Sequence, residues 1–280
     1  MRTGLKVYKG RPGSLVMRML IMLAAVLTVG SMLFIVAYIL IKGVPNLSHE
    51  LFAWKYTSEN ASMLPSIINT LIMTLLTLLI AVPIGVCSAV YLAEYAKRGS
   101  KLVSIIRITN ETLAGIPSIV YGLFGFLAFV IAMGWSYSLI SGVLTLAIMV
   151  LPTIIRTTEE ALIAVPDFYR EGSFGLGAGK LRTVFRIIVP TAMPGILSGV
   201  ILATGRIVGE TAALIFTAGT MPEVPGGLLS SARTLSVHMY CLMSEGLYTD
   251  QAYATAVILL VIVVLINWVS GRAAKKLSRS

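Results

Sequence analysis

Charge is scarce in this sequence. Asp, Glu, Lys and Arg make up 12% of its 280 residues, about half the share of an ordinary soluble domain. Hydrophobic residues fill 57% of it, which excludes a soluble globular domain. Acidic residues are the scarcer sign, 12 against 22 Lys and Arg. The resulting +10 charge does not imply nucleic acid, because the basic residues flank apolar runs instead of forming a face. Cysteine is nearly absent. Cys87 lies in an apolar run and Cys241 far away in a polar loop, so neither a disulfide framework nor a metal site is expected. The two histidines, His49 and His238, have no partner at ligand spacing and read as loop residues. Catalytic signatures are missing too. G-x-S-x-G and H-E-x-x-H do not occur, and GLGAGK at Gly175–Lys180 fails as a phosphate loop. Phe174 stands where that loop needs its first glycine, and Leu181 where it needs Ser or Thr. The chain is expected to hold no catalytic centre, metal or cofactor, and no repeat suggests a solenoid.

What the sequence has is long apolar runs. Six are long enough to cross ~30 Å of hydrocarbon as helices, which takes about 20 residues. They lie near Leu20–Ile41, Ser66–Tyr91, Leu113–Met133, Tyr137–Ile155, Ala192–Gly219 and Ala252–Val269. The first is too long for the apolar core of a signal peptide and has no cleavage site after it, so it is expected to stay as an anchor. It carries no charge and reads as a peripheral, lipid-facing helix. In the second run, Thr74 and Thr77 are placed to satisfy carbonyls freed by Pro83. Asn110, Glu111 and Ser118, at the start of the third, either line a vestibule or cap and anchor the helix.

Lys and Arg orient the spans. Eighteen fall in the N-terminal tail, the second and fourth connecting loops and the C-terminal tail. Only Lys42, Lys55 and Arg233 fall on the other side, and Arg206 lies inside the fifth run. Both termini and the loop 156–190 are therefore expected in the cytoplasm. The expected division is a cytoplasmic tail over 1–18, a six-span domain over 19–270 and a basic tail over 271–280.

The loop 156–190 is the longest polar interruption between spans. Its apolar residues recur at three- and four-residue spacings, as in amphipathic helices. Pro166 breaks a first helix and Asp167 is placed to cap a second. Gly175, Gly177 and Gly179 end that second helix in a turn, and a third runs to Pro190. Glu171-Gly172-Ser173, then Gly177, then Ile187-Ile188-Val189-Pro190 resemble the EAA loop of permease subunits in bacterial ABC importers. That resemblance implies a coupling helix between spans four and five that docks into an ATPase through Glu171, Gly172, Ser173 and Gly177. Gly172 and Ser173 depart from the two alanines of the pattern. The glycine costs about 1 kcal/mol of helix propensity and leaves a softer helix of the same small size.

The fifth run holds Thr204-Gly205-Arg206-Ile207-Val208-Gly209-Glu210-Thr211. Arg206 lies fourteen residues beyond Ala192, about 21 Å at ~1.5 Å per residue and so near mid-bilayer. A charge there is costly and should face protein or water. Glu210, at i+4, shares its face. Two readings stand: a self-neutralising pair that locks the bundle, or an anion site on a transport path made by Arg206, Glu210 and Thr211. Arg binds oxyanions bidentately, and a carboxylate accepts from a protonated one, which favours hydrogenphosphate over sulfate. Gly195, Gly199 and Ala203, like Gly205 and Gly209, form small-residue lines that admit another helix.

GRIVGETAALIFTAG, with LAGIPSIVYG at Leu113–Gly122 and VYLAEYA at Val90–Ala96, resembles PstA-type permeases of bacterial ABC phosphate importers. The resemblance implies an all-α integral membrane protein of the MetI-like, type I importer permease fold, one half of a heterodimeric pore. It also implies a PstC-type second permease, an ATP-binding subunit homodimer, an external phosphate-binding protein and phosphate as substrate. PstC-type paralogues share the intramembrane motif. An importer for another oxyanion or an amino acid remains the alternative.

Overall fold

The computed structural model describes residues 12–97 and 99–277, and every regular element among them is helical. Arg2, Lys6, Lys9, Arg11, Arg98 and Arg279 lie outside the described residues. Helix α1 (Pro12–Gly43) already includes residues 12–18, expected as tail. It packs along α11 (Thr249–Leu277) and leaves the rest of its apolar surface uncovered, as a lipid-facing helix would. Five described helices are long and apolar enough to cross a membrane, and a bent pair makes a sixth candidate if it is taken as one span.

Helix α2 (Leu64–Val90) starts with Pro65 in its first turn, where a missing N–H is harmless, and ends in a π-helical turn at Tyr91–Tyr95. Its threonines do not behave as expected. Thr70 bonds back to Ser66, but the buried hydroxyls of Thr74 and Thr77 have no partner and do not answer Pro83.

The third run is where sequence and structure diverge most. Residues Lys101–Ala114, read as loop and span start, form an amphipathic helix, α3. After Gly115-Ile116-Pro117 the chain turns by 102° into α4 (Ser118–Gly125), which continues as a π-helical stretch to Ala132. Pro117 forces Ile116 out of the helical region, so the span cannot begin at Leu113.

Helix α5 (Leu139–Ile163) begins at Ser138, whose hydroxyl accepts from the Ser141 N–H. It runs eight residues past the expected end, because no breaker occurs between Ile155 and Pro166 and the charges Arg156, Glu159 and Glu160 are all ion-paired. The first helix expected in the loop is thus the end of span four. Next come α6 (Phe168–Gly175) and α7 (Lys180–Thr183), a π-helical turn at Val184–Ile188 and α8 (Val189–Val208). Pro190 sits in the first turn of α8 instead of ending a third helix. Span five is also not continuous. It stops at Val208, and α9 (Ala212–Thr217) follows after a break. Helix α10 (Leu235–Glu245) then packs on α11, and carries Cys241 and His238 on a helix instead of a loop.

The core is built around α5, whose Val143, Leu146, Met149, Val150 and Ile154 are buried against α2, α8 and α9. Gly195 and Gly199 let α8 approach Ala161 and Thr157 of α5, as the small-residue line predicts. Gly205 has nothing near it, and Gly209 meets only the carbonyl of Gly205, so the second line stays open. A smaller cluster of Val90, Leu162, Val184, Ile188 and Ile196 lies under α6 and α7. At the far end, Leu51, Met63, Leu235 and Ala254 make a third.

Candidate functional site

Two places on this frame hold the residues singled out in the sequence. The first is the turn between α5 and α8. Asp167 stands at the N-cap position of α6, but its side chain makes no capping bond and instead takes Arg170 at 3.1 Å. Arg170 is the keystone here. Its Nη2 lies 2.6 Å from Glu94 Oε1, at the end of α2, and also donates to the Leu162 carbonyl at 2.9 Å. Its Nη1 donates to the Val165 carbonyl at 2.7 Å. Both side chains are largely buried, 17% exposed for Arg170 and 8% for Glu94. Charge-assisted bonds of this kind are about twice as strong as neutral ones, and these fix α6 to the end of the bundle. The sequence reading missed this pair, since its members are 76 residues apart. VYLAEYA was the only signal.

Glu171, Gly172 and Gly177 are exposed, whereas Ser173 turns inward and its hydroxyl meets Thr183 at 2.8 Å. Gly177 has a φ of +80°, a conformation that side chains rarely adopt, and it folds the chain back after α6. Around this turn the apolar residues point outward. Leu176 is 91% exposed, and Phe168, Phe174, Leu181 and Phe185 are exposed beside it. A groove of about 640 Å³ runs past Tyr169, Gly172, Gly177, Arg182 and Arg186. An apolar rim thus lies exposed over a small-residue floor that the buried ion pair holds in place.

The second place is the break in span five. Gly209 ends α8, and the Glu210 carboxylate accepts from the Ala213 N–H at 3.0 Å. Ser236 of α10 donates to the Glu210 carbonyl at 2.5 Å. Glu210 therefore satisfies the backbone at the start of α9 and is 8% exposed. Thr211 follows with non-helical dihedrals and makes a long 3.5 Å contact to the Gly209 carbonyl. The expected i,i+4 pair is absent, because the helix has ended before Glu210. Neither Arg206 nor Glu210 enters an ion pair among the described residues. Arg206 is half-buried on a face shared with exposed Leu202 and Gly209, and its charge acts on Tyr121 of α4. Gly122 lets that helix reach α9, for an added Cβ would come within 2.8 Å of Ala213 Cα. Tyr121 in turn donates to the Leu113 carbonyl at 2.8 Å, across the bend between α3 and α4.

Of the vestibule candidates, Asn110 Nδ2 donates to the Pro152 carbonyl at 3.2 Å and ties α3 to α5. Glu111 is exposed beside the Arg156–Glu160 and Arg107–Glu159 pairs, and Ser118 opens α4.

Comparison with known proteins places the whole chain. Residues 81–279 match the binding-protein-dependent transport system inner membrane component family. The chain is 34% identical to a probable ABC transporter permease protein, YqgI, of Bacillus subtilis over 86% of this chain and 90% of that one. It is 34% identical to the phosphate transport system permease protein PstA of Pasteurella multocida, covering 81% of each. Against PstA 2 of Mycobacterium bovis the figure is 33%, over 82% of this chain and 81% of that one. Among solved structures, a bacterial alginate ABC transporter superposes with a TM-score of 0.72 at 14% identity, covering 98% of this chain and 99% of that one. The MetNI methionine ABC transporter gives 0.59 at 20%, covering 86% and 97%. These last two show the MetI-like permease fold. The exposed turn between α5 and α8 and the broken fifth span thus belong to a transport subunit, not an enzyme, and the chain is a member of the binding-protein-dependent transport system inner membrane component family.

Proposed function

We propose that this chain is a permease subunit of an ATP-driven phosphate importer, one half of the translocation pore, with Arg206 on the substrate path. The single observation that carries the reading is the Arg206 guanidinium. It stands within span five without a carboxylate partner among the described residues, on a face that the rest of the chain leaves open. A permease for a neutral or cationic solute has little reason to keep an uncompensated arginine there. The relatives named phosphate transport permeases support the choice of anion. Thr211 lies at the break beside this face. Glu210 acts from behind, by holding the break open, as well as by accepting from a protonated oxyanion that reaches it.

The groove between α6 and α7 receives the ATPase, with Glu171, Gly172 and Gly177 at the surface and Ser173 setting the turn. ATP hydrolysis is left to that partner. The Lys and Arg distribution supports a cytoplasmic placement of this turn and of both termini. The complex then contains a PstC-type second permease, two ATPase copies and an external phosphate-binding protein. The tail, permease and basic-tail division at 18 and 270 is kept, with residues 12–18 as the helical start of α1. The test is ATP-dependent uptake of labelled phosphate into vesicles holding the complete complex, competed with sulfate and arsenate. Uptake blocked by arsenate and untouched by sulfate supports phosphate. Uptake blocked equally by sulfate, or none at all, overturns it.

A further inference from the structure

At the end of the bundle opposite the α6 turn, a second arginine is buried without a counter-charge. Arg233, on the chain entering α10, is 4% exposed. Its Nε and Nη2 are sealed from solvent and have no hydrogen-bond partner. The ion pairs among the described residues leave it out. Its guanidinium lies 4.6 Å over the Tyr56 ring, and Tyr56 meets His238 edge-on at 6.0 Å. His238 is fully buried, and apart from a contact with the Ala61 backbone its ring nitrogens have no partner. Burial, and then the Arg233 charge, hold its pKa down to about 3 against a raising contact from the Ala61 backbone.

No carboxylate among the described residues pairs with Arg233, and buried Glu210, joined to this spot through Ser236, accepts from the Ala213 N–H instead. Helices α2 and α10 both begin here. Asn69 Nδ2 donates to the Arg233 and Glu223 carbonyls, and the Leu235 N–H donates to Thr70 Oγ1. Ser66 Oγ, in the first turn of α2, is sealed and unpartnered. The N-terminal ends of helices add positive potential. The acidic residues at this end, Glu50, Glu59, Glu223, Glu245 and Asp250, are all exposed. Burying an unpaired cation is strongly unfavourable, and stacking on one ring offsets only part of that.

We propose that Arg233, with the His238 N–H and the Ser66 hydroxyl as further donors, forms an internal site for a small inorganic anion between the starts of α2 and α10. The anion is either the transported oxyanion at a second station or a resident chloride that locks this end. Occupancy is felt at the break in span five, because Ser236, three residues after Arg233, holds the Glu210 carbonyl. The site stands independently of the role given to Arg206.

Backbone amide hydrogen exchange tests it, followed by mass spectrometry on peptides covering Leu235–Glu245 in the assembled transporter. The complex is equilibrated in gluconate, and chloride or inorganic phosphate is then added. An anion that binds only the closed form slows exchange by a factor of one plus its concentration over its Kd, about tenfold at ten times Kd. Slowing by chloride alone identifies a resident ion, and slowing by phosphate identifies a substrate station. Equal exchange in all three salts overturns the site. Arg233→Gln must remove the salt dependence, and Arg206→Gln must keep it. Persistence in the first, or loss in the second, also overturns the proposal, since the effect then originates elsewhere. If Arg233→Gln does not assemble, Arg233→Lys keeps the charge without the fork and should show a several-fold smaller effect. An unchanged effect there contradicts the site. Failure of Arg206→Gln to transport concerns the substrate path and leaves these outcomes readable.

Discussion

Two Arg–Glu couples in this chain have opposite fates. Arg170 and Glu94 are 76 residues apart and meet at 2.6 Å, largely buried. Arg206 and Glu210 are four apart and make no ion pair. The difference lies in the backbone between them. The π-helical end of α2 delivers Glu94 to the turn at Pro166, where Arg170 also donates to the Val165 and Leu162 carbonyls at the end of α5. At the fifth span Gly209 ends the helix, so Glu210 answers the α9 backbone and Arg206 is left over. One couple fixes the α6 turn to the bundle, and the other leaves its arginine without a carboxylate.

The comparison can be broken at several points. The largest effect on stability is expected at the first couple. Arg170→Ala strands Glu94 and should cost about 3–5 kcal/mol, as breaking buried pairs does. It should also release the ATPase on purification. Arg170→Lys keeps the charge but not the three-way fork and should lose most of this too. A variant that co-purifies with the ATPase and melts normally removes Arg170 as keystone. Acid has the next largest effect. His238 is neutral in the folded chain with its pKa held at about 3, and it protonates near 6.5 once unfolded. Lowering the pH through that window favours the unfolded state by about 1.4 kcal/mol per unit. His238→Phe should flatten this slope of stability against pH, and an unchanged slope places it elsewhere.

At the second couple the changes in stability are smaller. Glu210→Gln retains an oxygen to accept from the Ala213 N–H, so assembly should survive at a cost of about 1 kcal/mol. Glu210→Ala removes that acceptor and should cost about 1–3 kcal/mol. Equal melting of the two would mean that the backbone contact does not matter. The exposed Arg156–Glu160 pair provides the floor: Arg156→Ala should leave the melting temperature unchanged.

The apolar runs and the loop between spans four and five were legible in the sequence because they are local. Apolar length alone locates a span. The 102° bend was misread because LAGIPSIVYG is apolar on both sides of Pro117, and hydropathy does not see direction. The break after Val208 was hidden in the same way. Gly209 is tolerated inside membrane helices, and only the bonds from Ala213 and Ser236 show that Glu210 is claimed elsewhere. The positions of Glu94, Tyr121 and Arg233 depend on contacts across the bundle, and no spacing rule reaches them.

The most direct test of the central claim, that Arg206 serves an anion and not Glu210, is phosphate uptake measured beside assembly in the same membranes. It compares Arg206→Gln with Arg206→Gln/Glu210→Gln. The account predicts that both complexes assemble and that uptake falls about a hundredfold or more in each, without rescue by the second change, as for loss of a charged group that binds substrate. Normal uptake by the double variant would show that the two charges only neutralise each other, and would contradict the account.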